Sequence, residues 1–74
     1  MNELELTAER LRQLSPARLA PFEASFYELL ATMTKRPVPR IASRAWGDQL
    51  LLLGRGVADD AALREFRRGL DFSL

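Results

Sequence analysis

The sequence predicts a small α+β domain spanning residues 1–74: a short helix, a long amphipathic helix, a β-hairpin and a C-terminal helix. Three observations predict it. Apolar residues recur at helical spacing from Phe22 to Met33. A second stripe of Leu63, Phe66 and Leu70 follows an aspartate cap, and Gly47-Asp48 separates two short apolar-rich runs. An all-α alternative, with residues 40–53 helical, competes with the hairpin.

The first element is read from LTAERLRQL. Thr7 serves as N-cap, with Leu6 and Leu11 at the two positions of a hydrophobic staple. The same grammar returns in LSPARL, where Ser15 caps, Pro16 takes the first helical position and Leu19 closes the staple. Pro21 would remove a hydrogen bond inside a helix. Residues 16–20 are therefore expected as one loose turn, with the main helix starting at Pro21.

That helix carries Phe22, Phe26, Leu29, Leu30 and Met33 on one stripe. It should end in TKRPVPR, because each proline biases its predecessor toward extended geometry. Asp59 is read as the cap of the last helix, Asp60 as an acid in its positive first turn, and Arg64, Arg67 and Arg68 as its basic flank. Gly69 is read as the residue that stops it, leaving DFSL, with Ser73, as a tail. Asp60 to Arg64 and Arg67 to Asp71 are spaced for ion pairs within that region.

RIASRAWGDQLLLL is the ambiguous segment. As a hairpin, Gly47-Asp48 makes a two-residue turn that sets Trp46 against Gln49, Ala45 against Leu50 and Arg44 against Leu51. As a helix, Ala42, Trp46, Leu50 and Leu53 align and Gly54 supplies the stop. Helix propensity favours the second reading. The missing N-cap and a mid-helix glycine, which costs about 1 kcal/mol relative to Ala, favour the first.

In a strand, Leu50 and Leu52 face one side while Leu51 and Leu53 face the other. A chain of 74 residues has little material to cover both. Either the N-terminal segment, through Leu6 and Leu11, folds over the second face and closes a monomer, or another chain covers it. The second outcome is the expected one.

Composition narrows the chemistry. The chain has no Cys and no His, so it forms no disulfide and offers only oxygen side-chain ligands to a metal. Neither a Ser-His nor a Cys-His pair can be built. The serines have local explanations as cap, helix face, strand position and tail. Lys35 is the sole candidate amine base and belongs to a solvated turn. The pairs Glu3/Glu5 and Asp59/Asp60 lie at a terminus and a helix cap. The glycines of GRG lack the rest of a phosphate-binding loop. The expectation is a non-enzymatic protein without catalytic, cofactor or metal residues.

The formal net charge is +1, but residues 1–31 carry five acids against three arginines, and residues 32–74 eight bases against five acids. Lys35, Arg36, Arg40 and Arg44 bring four of those bases into ten residues with no acid among them. This segment could meet phosphates, and a small nucleic-acid-binding regulator is the alternative function. Two features oppose it. The charge is low for a nucleic-acid binder, and the QLLLL that follows IASRAWG offers a base edge one amide and no cation.

The favoured function is a small protein-protein interaction module of bacterial type: an adaptor, inhibitor or docking protein that pairs with itself through the leucine-rich hairpin. Its partner-binding residues are expected to be Trp46, Leu51 and Leu53 at an apolar centre, with Arg36, Arg40 and Arg44 at the rim. Tryptophan and arginine are typical of binding hot spots. MNELELTAER has neither the basic nor the apolar region of a signal peptide. No apolar run approaches the ~20 residues of a membrane span, so a cytoplasmic location is expected, without a membrane partner.

Overall fold

A computed structural model describes residues 1–72, and all its regular structure is helical. The chain forms α1 (Glu3–Gln13), a single turn α2 (Pro16–Leu19), α3 (Glu23–Thr34), α4 (Trp46–Gly54) and α5 (Asp60–Phe72). Short 3₁₀ turns at Ala20–Phe22 and Ser43–Ala45 lead into α3 and α4.

α1 starts five residues before the point read from Thr7. Asn2 is the cap: its side chain accepts from Glu5 N at 2.8 Å, and Glu5 reaches back to Asn2 N. Thr7 lies inside the helix, buried, with its hydroxyl donating to Glu3 O at 2.8 Å. Leu6, half of the expected staple, is exposed. The second start is as read, with Ser15 accepting from Arg18 N and Pro16 in the first turn. Pro21 falls in the 3₁₀ turn, so α3 begins two residues later than expected. Phe26, Leu29, Leu30 and Met33 are buried as its stripe requires.

The hairpin does not exist. Residues 46–54 form α4, and no strand occurs among the described residues. The reason lies in what Gly47 and Gly54 meet. A Cβ on Gly47 would stand 2.8 Å from Ala8 O and 2.9 Å from Arg12 Cγ. One on Gly54 would stand 2.5 Å from Leu4 Cδ1. Both glycines let α4 approach α1 closely, rather than turning the chain or stopping a helix. The left-handed backbone at this end is at Gly56, φ +79°, in the turn after α4. The absent cap is real: no side chain caps α4, which is entered through the Ser43–Ala45 turn instead.

These contacts fix the topology. Gly47 meets Ala8 and Arg12 while Gly54 meets Leu4, so α1 and α4 are antiparallel. Glu3 pairs with Arg64 and Arg67, and Arg10 with Asp71, so α1 and α5 run parallel. Trp46 stacks on Phe26, and Leu53 shares a recess with Thr34, so α3 and α4 are parallel too. Two parallel neighbours need a crossing connection, and the strap 35–42 supplies it. Lys35, in left-handed conformation (φ 62°), ends α3. Pro37 and Pro39 keep the strap extended, and Tyr27 holds its far end. The Tyr27 hydroxyl accepts from Ile41 N at 2.7 Å and donates to Ile41 O at 3.2 Å.

The core joins all the helices: Leu4, Ala8 and Leu11 from α1, Leu19, the α3 stripe, Trp46 and Leu50, then Leu63, Phe66 and Leu70. Asp59 caps α5 as expected, accepting from Ala62 N at 3.1 Å. Gly69 does not stop that helix, which continues through Asp71 and Phe72. The Ser73 tail lies outside the described residues.

The acid partners of α5 are also not the ones its own spacing suggested. Arg64 and Arg67 converge on Glu3, at 3.6 and 2.6 Å, and Asp71 pairs with Arg10 at 2.8 Å. The short Arg67 contact falls outside linear hydrogen-bond geometry, yet it is the chief cause holding the Glu3 carboxyl below its ordinary 4.5. Partial burial opposes this, and the charges of Arg67 and Arg64 add to the lowering. A carboxylate with a lowered folded value stabilises fully above 4.5, and the contribution is lost as pH falls through the lowered value. Glu3→Gln should therefore lower stability at neutral pH and flatten the acid branch below pH 4.5. Acid titration of helical content tests this: equal slopes for variant and parent would mean that Arg64 and Arg67 do not stabilise the Glu3 carboxylate.

Candidate interaction surface

The six residues expected at an interface do not form one surface. Trp46 is a core residue, 3% exposed. Its ring stacks on Phe26 with centroids 4.4 Å apart and planes 13° from parallel, and it meets Tyr27 edge-on at 6.1 Å. Among the described residues its indole N–H finds no acceptor.

Leu51 and Leu53 are half-buried and point apart, because two residues of helix turn the side chain by about 200°. Leu51 lines a recess of about 470 Å³ with Met1, Leu4, Arg12 and Arg55 on the α1 side. Leu53 lines another of about 210 Å³ on the strap side, with Thr34, Pro37, Val38 and Pro39. Arg36 and Gln49 stand at that second recess, so Leu53 and Arg36 are the one expected pair that the fold brings together.

The basic segment is drawn out along the molecule rather than gathered. Lys35 and Arg36 lie at the α3 end, beside Thr34 and Leu53, while Arg44 lies beside the start of α4. Arg40 is already engaged, bonded to Glu23 at 2.6 Å with its guanidinium 4.4 Å from the Tyr27 ring centre. Lys35, Arg36 and Arg44 have no carboxylate partner among the described residues.

Sequence reasoning missed the outer face of α4. Trp46, Leu50 and Gly54 form the buried side, so the opposite side at about 100° per residue carries Asp48 and Leu52, extended by Arg55. Leu52 is 68% exposed and stands as a crest between the two leucine-lined recesses. Asp48 is exposed and pairs with Arg12 through Oδ1. Arg55 is exposed and has no carboxylate partner among the described residues. The spacing i, i+4, i+7 was available in GDQLLLLGR, but only a helical reading of the segment exposes it.

The four leucines thus have four fates: Leu50 in the core, Leu51 toward α1, Leu53 toward the strap and Leu52 outward. The N-terminal segment does cover α4, through Leu4, Ala8 and Leu11, and leaves the Leu52 side open. No family model, curated protein or solved structure matches this chain. Its surfaces are therefore read from their own chemistry. Among the described residues no acidic cluster is placed to hold a metal ion, and no helix is long and apolar enough to cross a membrane.

Proposed function

We propose that this chain is a small non-enzymatic protein-interaction module that pairs with a second copy of itself through the outer face of α4. The observation that carries the reading is Leu52, largely exposed on the side of α4 away from the core, with a leucine-lined recess on either flank. An apolar crest with such flanks is the shape that buries well against another chain. Polar and charged neighbours (Gln49, Arg36, Arg12 and Arg55) supply the rim that interfaces commonly have. One exposed leucine between two recesses is a small patch, so the expected affinity is on the order of micromolar.

Light scattering over a wide concentration range tests it. The parent should rise from 8.4 kDa toward twice that mass. Leu52→Glu should stay at one chain with its thermal midpoint unchanged at low concentration, because the residue lies outside the core. A parent mass of one chain throughout would end the reading.

One observation supports a second reading: Lys35, Arg36 and Arg44 carry no carboxylate partner among the described residues, which leaves them open to phosphates. Binding of labelled nucleic acid that weakens steeply with salt, and weakens further in Arg36→Ala and Arg44→Ala, would favour it over self-pairing.

A further inference from the structure

The outer face of α4 carries a charge pattern as well as an apolar crest. Asp48, Leu52 and Arg55 fall within about 60° of one another around the axis. Along it, Asp48 lies about 6 Å before Leu52 and Arg55 about 4.5 Å after it. The exposed stripe therefore has a carboxylate at one end, engaged by Arg12, and a guanidinium without a carboxylate partner among the described residues at the other, with the leucine near the middle.

Resting on the self-pairing reading above, we infer the geometry of the pair: two α4 helices lie antiparallel about a twofold axis near Leu52. Asp48 of each copy then faces Arg55 of the other. A twofold interface is self-complementary, so each contact occurs twice. A parallel pairing through the same leucine would instead set Arg55 against Arg55, which like-charge repulsion disfavours, and would leave Asp48 facing Asp48 with only Arg12 to offset it. The antiparallel arrangement satisfies the open ends of both charges. Arg55 has no carboxylate partner within the described chain, and Arg12 engages Asp48 through Oδ1, leaving Oδ2 for a second guanidinium. Arg55 also borders the recess lined by Leu51, so the same approach brings Leu52 of the second copy to the edge of that recess.

Charge exchange tests this register separately from the face itself. In Asp48→Lys the stripe becomes positive at both ends, and in Arg55→Glu it becomes negative at both ends. Asp48 and Arg55 are both exposed and outside the core, and circular dichroism is the check that each variant folds. Each single variant should weaken self-pairing roughly tenfold, because two like-charge contacts replace two attractive ones. Mixed in equal amounts, the two variants should form a heterodimer, and the double variant should again form a homodimer, both close to parental affinity.

Analytical ultracentrifugation with one variant fluorescently labelled reads all of these. If the parent pairs and Leu52→Glu abolishes pairing, but the mixed variants stay apart, the register is wrong while the α4 face stands. If the single variants pair as tightly as the parent, the register is likewise wrong. A parent that never pairs removes both the register and the self-pairing function on which it rests.

Discussion

Replacing Trp46 with alanine is expected to remove a large part of the chain's stability at 25 °C, not merely to weaken a partner. The ring is buried, stacked on Phe26 and edge-on to Tyr27, at the junction of α3 and α4. Deleting a buried tryptophan costs about 3–5 kcal/mol. A domain of this length has roughly 4–11 kcal/mol in total, and a small core seldom exceeds about 5. Urea denaturation followed by far-ultraviolet circular dichroism measures the loss. Trp46→Phe should cost less than half as much, since it keeps an aromatic ring against Phe26 and removes an indole N–H that has no acceptor among the described residues. A Trp46→Ala protein with parental helix content and midpoint would return this side chain to the interface role its composition first suggested.

The second large effect concerns a change that helix propensity alone would call favourable. Alanine in a helix interior is worth about 1 kcal/mol over glycine, yet Gly47→Ala should destabilise. The new Cβ would lie 2.8 Å from Ala8 O, and a backbone atom in the middle of α1 cannot step aside without moving the helix. Overpacking of this kind costs about 1–3 kcal/mol, so a net loss of about 1 kcal/mol is expected. Gly47→Val should lose more. Gly54→Ala is the internal control. Its Cβ meets the methyl end of Leu4, which can change rotamer for about 0.5–1.5 kcal/mol, so gain and cost nearly cancel. Denaturant midpoints that rise for Gly47→Ala would mean that α1 and α4 are not in close contact.

That pair of glycines also shows where legibility ended. α3, α5 and the caps at Ser15 and Asp59 were readable because periodicity and capping are local. The Asn2 cap is legible too, since Asn2 and Glu5 stand at capping-box spacing, but Thr7 offers a competing cap five residues on. Gly47-Asp48 was not decidable locally. A glycine that turns a chain and one that admits a neighbouring helix look identical until the neighbour, here Ala8, is known. In a hairpin Leu51 and Leu53 share one face by period two, and Leu52 shares the other with Leu50. The helix reverses this. The partners of Arg10, Arg12, Arg64 and Arg67 lie on other helices and leave no local trace. The Arg40–Glu23 pair is equally hidden, because it depends on a strap that doubles back along α3.

The placement of α1 bears on how the chain acquires its fold during synthesis. α1 is held by two helices made after it, through Gly47 and Gly54 of α4 on one side and Arg64, Arg67 and Asp71 of α5 on the other. Leu4 therefore lacks its neighbour on α4 until Gly54 has been made, and Glu3 lacks its partners until Arg64 and Arg67 follow. Contacts so distant in sequence are unusual for a helical protein, and they slow folding relative to bundles built from adjacent hairpins. A nascent chain that has reached only the strap would expose the apolar stripe of α3 with nothing to cover it. A protease cut at Lys35 would likewise leave two pieces that each hold half a core.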